Sequence, residues 1–202
     1  GIGLGLRNRL SEAVARNDLI DMRSYISTGI FSIIAVGFLF LVIFHVAIQF
    51  VNLQNVFNTV LLSEKELYEI TLWTGIFVIT SFVLSIINQI YYAYQKASMV
   101  GGIGVVQSFI MLIVVYYLTL RPQHQLLYFV FAFGIAMIIS RISFIGWFFN
   151  HERQVIPKWT FFSISKVRSI SGLGMRFFII QICCLFGYTF NNFLITEFLG
   201  PE

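Results

Sequence analysis

Five predominantly apolar blocks, each of about 22–28 residues, dominate the sequence. A helix needs about 20 apolar residues to cross a hydrocarbon core of ~30 Å, so each block predicts one transmembrane helix. The predicted spans are 25–51, 70–95, 99–120, 125–149 and 172–199. The sequence therefore predicts an all-α fold, a polytopic transmembrane helix bundle.

The composition excludes two broad classes of protein. The chain is 58% hydrophobic and 11% charged, whereas a soluble domain carries about 25% charged residues. A soluble enzyme and a disordered chain are both excluded.

Because the sequence starts at Gly1 without methionine and stops at Glu202 as the last block ends, we expect an internal piece of a longer membrane protein.

The basic residues predict the orientation, since Lys and Arg concentrate in cytoplasmic loops. Nine of them fall before the first span or after the second and fourth spans: Arg7, Arg9, Arg16, Arg23, Lys96, Arg153, Lys158, Lys166 and Arg168. Only Lys65 and Arg121 fall on the other side. The N-terminal end is therefore predicted to be cytoplasmic. Because the net charge of +4 is spread over several loops, we expect no nucleic-acid partner.

Two polar segments are predicted on the cytoplasmic side. Residues 1–24 form a linker with an amphipathic helix over 8–23, in which Leu10, Ala13 and Val14 recur at helical spacing. This helix either lies on the membrane surface or simply connects two spans, and we favour the connector. Residues 150–171 form a basic loop.

Arg141 is the most informative single residue. It lies about eight residues inside the fourth span, roughly 12 Å at helical rise. A charge at the bilayer centre costs about 2.5–3.5 kcal/mol or more, although a long side chain relieves part of that cost by snorkelling. Gly134 and Met137 share its helix face and are expected to leave room beside the guanidinium. Arg141 is therefore either an anion-binding residue or a structural, snorkelling one.

The last span carries a second arginine on a face of small and polar residues. This face consists of Gly172, Arg176, Cys183, Gly187 and Asn191. Arg176 and Arg141 together predict a site for an anionic cargo entered from the cytoplasm. Glu197, near the outer end, is either an interfacial carboxylate or an ion-coupling acid.

Further polar residues follow the first two spans. A stripe on the second span contains Thr74, Ser81, Ser85, Asn88 and Tyr92, with Gln89 at its edge. It predicts either helix–helix hydrogen bonds or a hydrated lining. On the first span, one face contains Ser27, His45, Gln49 and Asn52. His45 is either a neutral hydrogen-bonding residue or a proton carrier.

The sequence contains no pattern typical of catalysis or metal binding. There is no glycine-rich phosphate loop, no carboxylate pair within a span and no His/Cys cluster. Adjacent Cys183 and Cys184 are interpreted as packing residues, since neighbouring cysteines rarely satisfy disulfide geometry. We expect a protein that is not an enzyme and has no catalytic residue, metal or cofactor.

Both ends of the chain resemble one family. The opening GIGLGLRNRLSEA (1–13) and RSYIST (23–28) resemble the linker before the third span of bacterial O-antigen and polysaccharide flippases. These belong to the multidrug/oligosaccharidyl-lipid/polysaccharide exporter superfamily. The closing FNNFLITEFLGPE (190–202) resembles their seventh span. Family members often have Asp in place of Asn191 and an uncharged residue in place of Glu197.

The resemblance implies spans three to seven of twelve to fourteen, arranged in two bundles with alternating access. Residues 25–149 would supply four helices of the first bundle, and 172–202 the truncated first helix of the second. The implied cargo is an undecaprenyl-pyrophosphate-linked oligosaccharide crossing the bacterial inner membrane. The phospholipid bilayer and polysaccharide polymerases are the implied partners.

Each candidate residue then has an expected role. Arg141 and Arg176 would contact the anion. Asn88, Gln49 and Asn191 would line the sugar path, and His45 and Glu197 are candidates for ion coupling.

Three alternatives remain open. A multidrug exporter of the same superfamily would favour buried acids over arginines. A polytopic polymerase or glycosyltransferase would need larger extramembrane loops than those predicted. A structural membrane scaffold would be indifferent to loss of the arginines.

Overall fold

The computed structural model describes residues 2–58, 62–120 and 126–199, with side chains as far as Cys184. The helices are α1 Ile2–Ala15, α2 Leu19–Ala47, α3 Leu53–Phe57, α4 Glu64–Leu84, α5 Ile86–Ala93, α6 Ala97–Thr119, α7 Leu126–His151 and α8 Ile164–Leu199. Two short 3₁₀ turns, Arg153–Val155 and Trp159–Phe161, lie between α7 and α8. No strand occurs in these ranges, which confirms the all-α prediction.

Five helical segments are long and apolar enough to cross a membrane: Leu19–Ala47, Glu64–Ala93, Ala97–Thr119, Leu126–His151 and Ile164–Cys184. The second comprises α4 and α5, which meet at Ser85. Large apolar side chains face outward, among them Phe38 and Val105, with 68% and 70% of their surface exposed. These features support a multi-pass membrane protein. The predicted number of five spans is confirmed, although their boundaries differ by several residues.

A turn at residues 16–18 separates α1 from α2. Asn17 adopts the left-handed conformation, with φ of 54°. Asp18 then caps α2, since its carboxylate accepts hydrogen bonds from the backbone N–H of Ile20 at 3.1 Å and of Asp21 at 3.0 Å. The predicted continuous helix over 8–23 is therefore wrong. An Asn-Asp pair favours turns and caps over helix interiors, and this local preference overrides the apolar spacing.

One end of the bundle, which we call the α1 end, gathers α1, the starts of α2, α6 and α8, and the ends of α5 and α7. The ammonium of Lys96, before α6, lies 3.1 Å from the carboxylate of Glu152, after α7. The hydroxyl of Tyr91 on α5 donates to the carbonyl of Phe144 on α7 at 2.8 Å. The Tyr94 hydroxyl contacts the Met22 sulfur at 3.5 Å. Burial, assisted by the charge of Glu152, raises the pKa of Tyr94 to about 12, so this hydroxyl stays neutral.

Helix α1 is inserted among three other helices. Leu6, Leu10 and Ala13 are completely buried, and Leu6 packs on Gly29 of α2. A Cβ on Gly5 would overlap the carbonyl oxygen of Ile170 on α8. Small residues at such crossings allow two backbones to approach closely, so Gly5 sets the contact between α1 and α8.

The opposite face of α1 packs against α5. A Cβ on Gly3 would lie 3.1 Å from Cγ of Gln89. The guanidinium of Arg7 lies over the ring of Tyr92, 4.7 Å from its centroid. Helix α1 is thus a packed part of the bundle, in contact with both α5 and α8.

Residues 152–163, which we call the strap, lie along the first turns of α2. The hydroxyl of Ser24 donates to the carbonyl of Phe161 at 2.9 Å, and Arg23 Nε donates to the carbonyl of Ile156 at 3.0 Å. Ser27 and Thr28 accept from the backbone N–H of Lys158 and of Ser163, at 3.1 and 3.2 Å. Because α7 continues to His151 and α8 begins at Ile164, the connection is shorter than the predicted loop 150–171.

Replacing Thr28 with valine should loosen the strap. Valine keeps the shape of this fully buried side chain but cannot accept the hydrogen bond from Ser163. We expect a loss of about 1 kcal/mol, which makes local opening roughly fivefold more frequent. Tryptic cleavage after the exposed Lys158 should accelerate by the same factor.

The control for this change is Ser143→Ala. The Ser143 hydroxyl donates only to the carbonyl of Ile139 in its own helix, at 2.8 Å. Equal cleavage rates for the two variants and the parent protein would contradict the assigned role of Thr28.

Candidate functional site

Arg141 lies half-buried on α7, ten residues before His151 at the α1 end. At helical rise this is a depth of about 15 Å. Its Nη1 donates to the carbonyl of Met137 at 3.3 Å, and its Nε is buried without a hydrogen-bond partner. No carboxylate of the described residues forms an ion pair with it. The guanidinium is therefore a cation at membrane depth that has unused hydrogen-bond donors.

The space expected beside Arg141 at Gly134 is already occupied. The aromatic ring of Phe77 on α4 lies where a Cβ of Gly134 would stand. Phe77 also packs edge-on against Phe131, with ring centroids 5.6 Å apart. Gly134 therefore serves the contact between α4 and α7, and the predicted room beside the guanidinium at that turn is wrong.

The predicted polar stripe divides into satisfied and unsatisfied groups. The Thr74 hydroxyl donates to the carbonyl of Ile70 at 2.7 Å, and that of Ser85 to the carbonyl of Phe82 at 2.6 Å. These hydroxyls are satisfied within α4 itself. Asn88, half-buried on α5, differs because its Oδ1 is buried without a hydrogen bond. This amide oxygen therefore retains unused hydrogen-bonding capacity.

Gln89 is a polar residue of this region that is not among the site residues predicted from the sequence. Its Oε1 is buried and has no hydrogen-bond partner, and its side chain packs against Gly3 of α1. The signal that could have found it was its position at the edge of the stripe. Asn88 and Gln89 therefore present two unpaired amide oxygens five and four residues before the end of α5.

His45 and Gln49 lie elsewhere. Their side chains contact each other, with 3.4 Å between Gln49 Nε2 and His45 Nε2, and both are exposed. They stand 26 and 30 residues after Leu19, the first residue of α2, so they lie at the end of the bundle opposite α1. Ser27, predicted on their helix face, binds the strap. The structure does not bring Gln49 or His45 together with Arg141.

Arg176 is exposed on α8, twelve residues after Ile164. Within the described ranges, α8 packs against α1 and α2 and not against α7. The two arginines therefore stand on helices that do not touch. The predicted small face around Arg176 is open, since a Cβ on Gly172 would meet nothing within 4 Å. The side chains of Asn191 and Glu197 lie outside the described part of the structure.

The described residues contain no group of three or more His, Cys, Asp or Glu side chains that could hold a metal ion. Cys183 and Cys184 are free and exposed. The candidate residues are therefore Arg141, Asn88 and Gln89, each of which has a buried polar side-chain atom without a hydrogen-bond partner. Arg141 lies on α7 and the two amides lie on α5, which packs against α7; Arg176 lies on a separate helix. Together they offer one positively charged hydrogen-bond donor and two amide acceptors.

Comparison of the chain with family models, with curated proteins and with solved structures yields no significant match.

Proposed function

We propose that this chain is part of a flippase that moves an undecaprenyl-pyrophosphate-linked oligosaccharide across the bacterial inner membrane by alternating access. Arg141 carries the proposal. A charge at membrane depth is normally paired with a counter-charge or fully hydrogen-bonded. This half-buried guanidinium has one carbonyl partner, a buried Nε without a partner, and no ion pair with a carboxylate among the described residues. A passing pyrophosphate would supply the missing acceptors, because guanidinium and phosphate form paired, charge-assisted hydrogen bonds.

The positions of the charges support cytoplasmic entry. The α1 end carries most of the basic residues of the chain, including Lys96, Arg153 and Lys166, as expected for a cytoplasmic surface. Arg141 lies about 15 Å from that end, and Asn88 lies on the neighbouring α5. An anion entering there would be attracted by a surface charge shared among many basic residues, none of which is individually required. It would then meet the fixed charge at depth.

The test is Arg141→Ala in the complete gene, expressed in cells that depend on it for surface polysaccharide. We expect polymer to fall by about ten- to hundredfold, because a hydrogen bond to a charged group contributes about 1.5–3 kcal/mol. Arg141→Lys should restore part of the activity, since lysine keeps the charge but loses the paired geometry.

Arg153→Ala is the matched control. Arg153 is exposed at the α1 end and its guanidinium bonds only to Asn150, so polymer should be unchanged. Protein level is measured for every variant. Normal polymer with Arg141→Ala at normal protein level would refute the proposal. Loss of resistance to cationic drugs without loss of polymer would instead favour the multidrug exporter.

A further inference from the structure

An apolar cavity of about 350 Å³ lies near the α1 end, between α2, α5 and α7 and beneath the strap. The α2 residues Ile30, Ile33 and Ile34 form one wall, and Ile145 and Phe149 of α7 form another. Water gains little in such a space, because it finds no polar partners. An apolar cavity of roughly 150 Å³ already takes up benzene, so this one has room for a length of hydrocarbon chain.

The cavity opens away from the bundle. Ile34 and Ile156, which both line it, keep 47% and 39% of their surface exposed. Its α5 wall includes Ile86 and Ile90, seven and three residues before the end of that helix, or about 5–10 Å at helical rise. The opening therefore faces the outer part of the hydrocarbon layer, where lipid chains meet their headgroups.

The mouth of the cavity is positively charged. Ile156 and Pro157 of the strap line it. Arg23 Nε binds the carbonyl of Ile156 at 3.0 Å, and the exposed Lys158 follows Pro157 directly. No carboxylate within the described ranges forms an ion pair with Arg23 or Lys158.

The carboxylates of the same end are already engaged. Glu12 pairs with Arg9, Glu152 with Lys96, and Asp21 with Lys166 and Arg16. Asp18 caps α2. Arg23 and Lys158 therefore remain as unneutralised positive charge above an apolar cavity.

We propose that this cavity binds one acyl chain of an anionic phospholipid, whose headgroup is held by Lys158 and Arg23. The shape and charge suit that single occupant, because hydrocarbon fills the apolar part and the phosphate meets the two cations. A basic residue near an anionic membrane surface contributes about 1 kcal/mol to the binding free energy of an anionic lipid. We therefore expect the charge and the apolar cavity to make separate contributions to lipid binding. Lipid retention does not depend on the transport proposed above.

The experiment is native mass spectrometry of the full chain purified in detergent, with added phosphatidylglycerol or phosphatidylcholine of identical acyl chains. We expect the parent protein to retain phosphatidylglycerol preferentially. Lys158→Ala should weaken that retention about fivefold and leave phosphatidylcholine unchanged. Lys65→Ala, which removes an exposed charge at the opposite end, is its control.

Ile34→Trp tests the cavity itself. The indole is larger than the isoleucine it replaces, and a partly exposed position should accept it without unfolding the bundle. It should weaken retention of both lipids at least fivefold. Leu39→Trp, at a position 54% exposed on the same helix and outside the cavity, should have no effect. Thermal unfolding confirms that each variant is folded.

Three results would overturn the proposal. They are unchanged phosphatidylglycerol binding in Ile34→Trp, equal retention of the two lipids by the parent protein, and a cross-link from Ile34→Cys to a second copy or to another protein segment. The last would show that protein, not lipid, covers the cavity. Surface polysaccharide is measured separately, so failure of lipid binding is distinguishable from failure of the flippase proposal.

Discussion

Replacing Gly5 with alanine is expected to separate α1 from α8 and to lower the free energy of unfolding by about 3 kcal/mol or more. The added methyl group would overlap the carbonyl oxygen of Ile170 and lie 3.1 Å from the backbone nitrogen of Gly174. Neither atom can move aside by a side-chain rotation, so a helix must shift. Overpacking usually lowers the free energy of unfolding by about 1–3 kcal/mol. Because the backbone must move here, we expect a loss at the upper limit of that range.

Thermal unfolding of the full protein in detergent measures this effect, with size-exclusion chromatography to detect aggregation. Gly172→Ala on α8 is the control, because its Cβ would meet nothing within 4 Å. Alanine there should be neutral or slightly stabilising, since it is a better helix former than glycine. A Gly5→Ala protein as stable as the Gly172→Ala protein would mean that α1 does not pack on α8 as described.

Replacing Phe148 with alanine is expected to lower the free energy of unfolding by about 3–5 kcal/mol, the usual range for removing a buried aromatic ring. Phe148 is completely buried. Its ring lies edge-on to Tyr91 and Tyr94, with centroids 5.3 and 5.1 Å away. The change would leave a cavity where α5 and α7 meet, and it would remove the aromatic contacts in addition to the buried area.

Phe109→Ala provides the comparison for Phe148→Ala, because Phe109 is 63% exposed on α6. In detergent its loss should have little effect on unfolding. The measurement is the difference in unfolding temperature between the two variants. If both variants lose the same stability, Phe148 is not buried between α5 and α7 as described.

The sequence predicts the five spans well because membrane thickness sets a minimum length that few other structures satisfy. It predicts the boundaries less well. The first span begins at Leu19 because Asp18 caps it, and the last begins at Ile164. Caps and first turns are polar, so hydropathy assigns them to loops.

The burial of α1 does not follow from its sequence. The apolar spacing of Leu10 and Ala13 is the same for a helix on a membrane surface and for one packed between other helices. Only the three-dimensional arrangement reveals that Gly3 and Gly5 contact two different helices. The contacts of the strap cannot be predicted from the sequence either. Ser24 and Thr28 are polar residues of a helix, and nothing in their spacing indicates that they bind Phe161 and Ser163.

The depth of Arg141 could be predicted, because it follows from counting residues along one helix. Its surroundings could not. Phe77 comes from another helix and occupies the space at Gly134, and the lack of a carboxylate partner depends on where every described acid lies. The sequence predicts Gln49 and Arg141 along one path because both are polar residues within predicted spans. Gln49 lies at the end of the bundle opposite α1, whereas Arg141 lies about 15 Å in from the α1 end.

The strap also limits how the bundle can deform. A connection without contacts to the rest of the bundle would allow α7 and α8 to move independently. Here the connection is anchored to the start of α2 by four hydrogen bonds, and the first turn of α8 is held by the ion pair of Lys166 with Asp21. The start of α8 is thus a fixed pivot, and any large swing of that helix must be accommodated farther along its length.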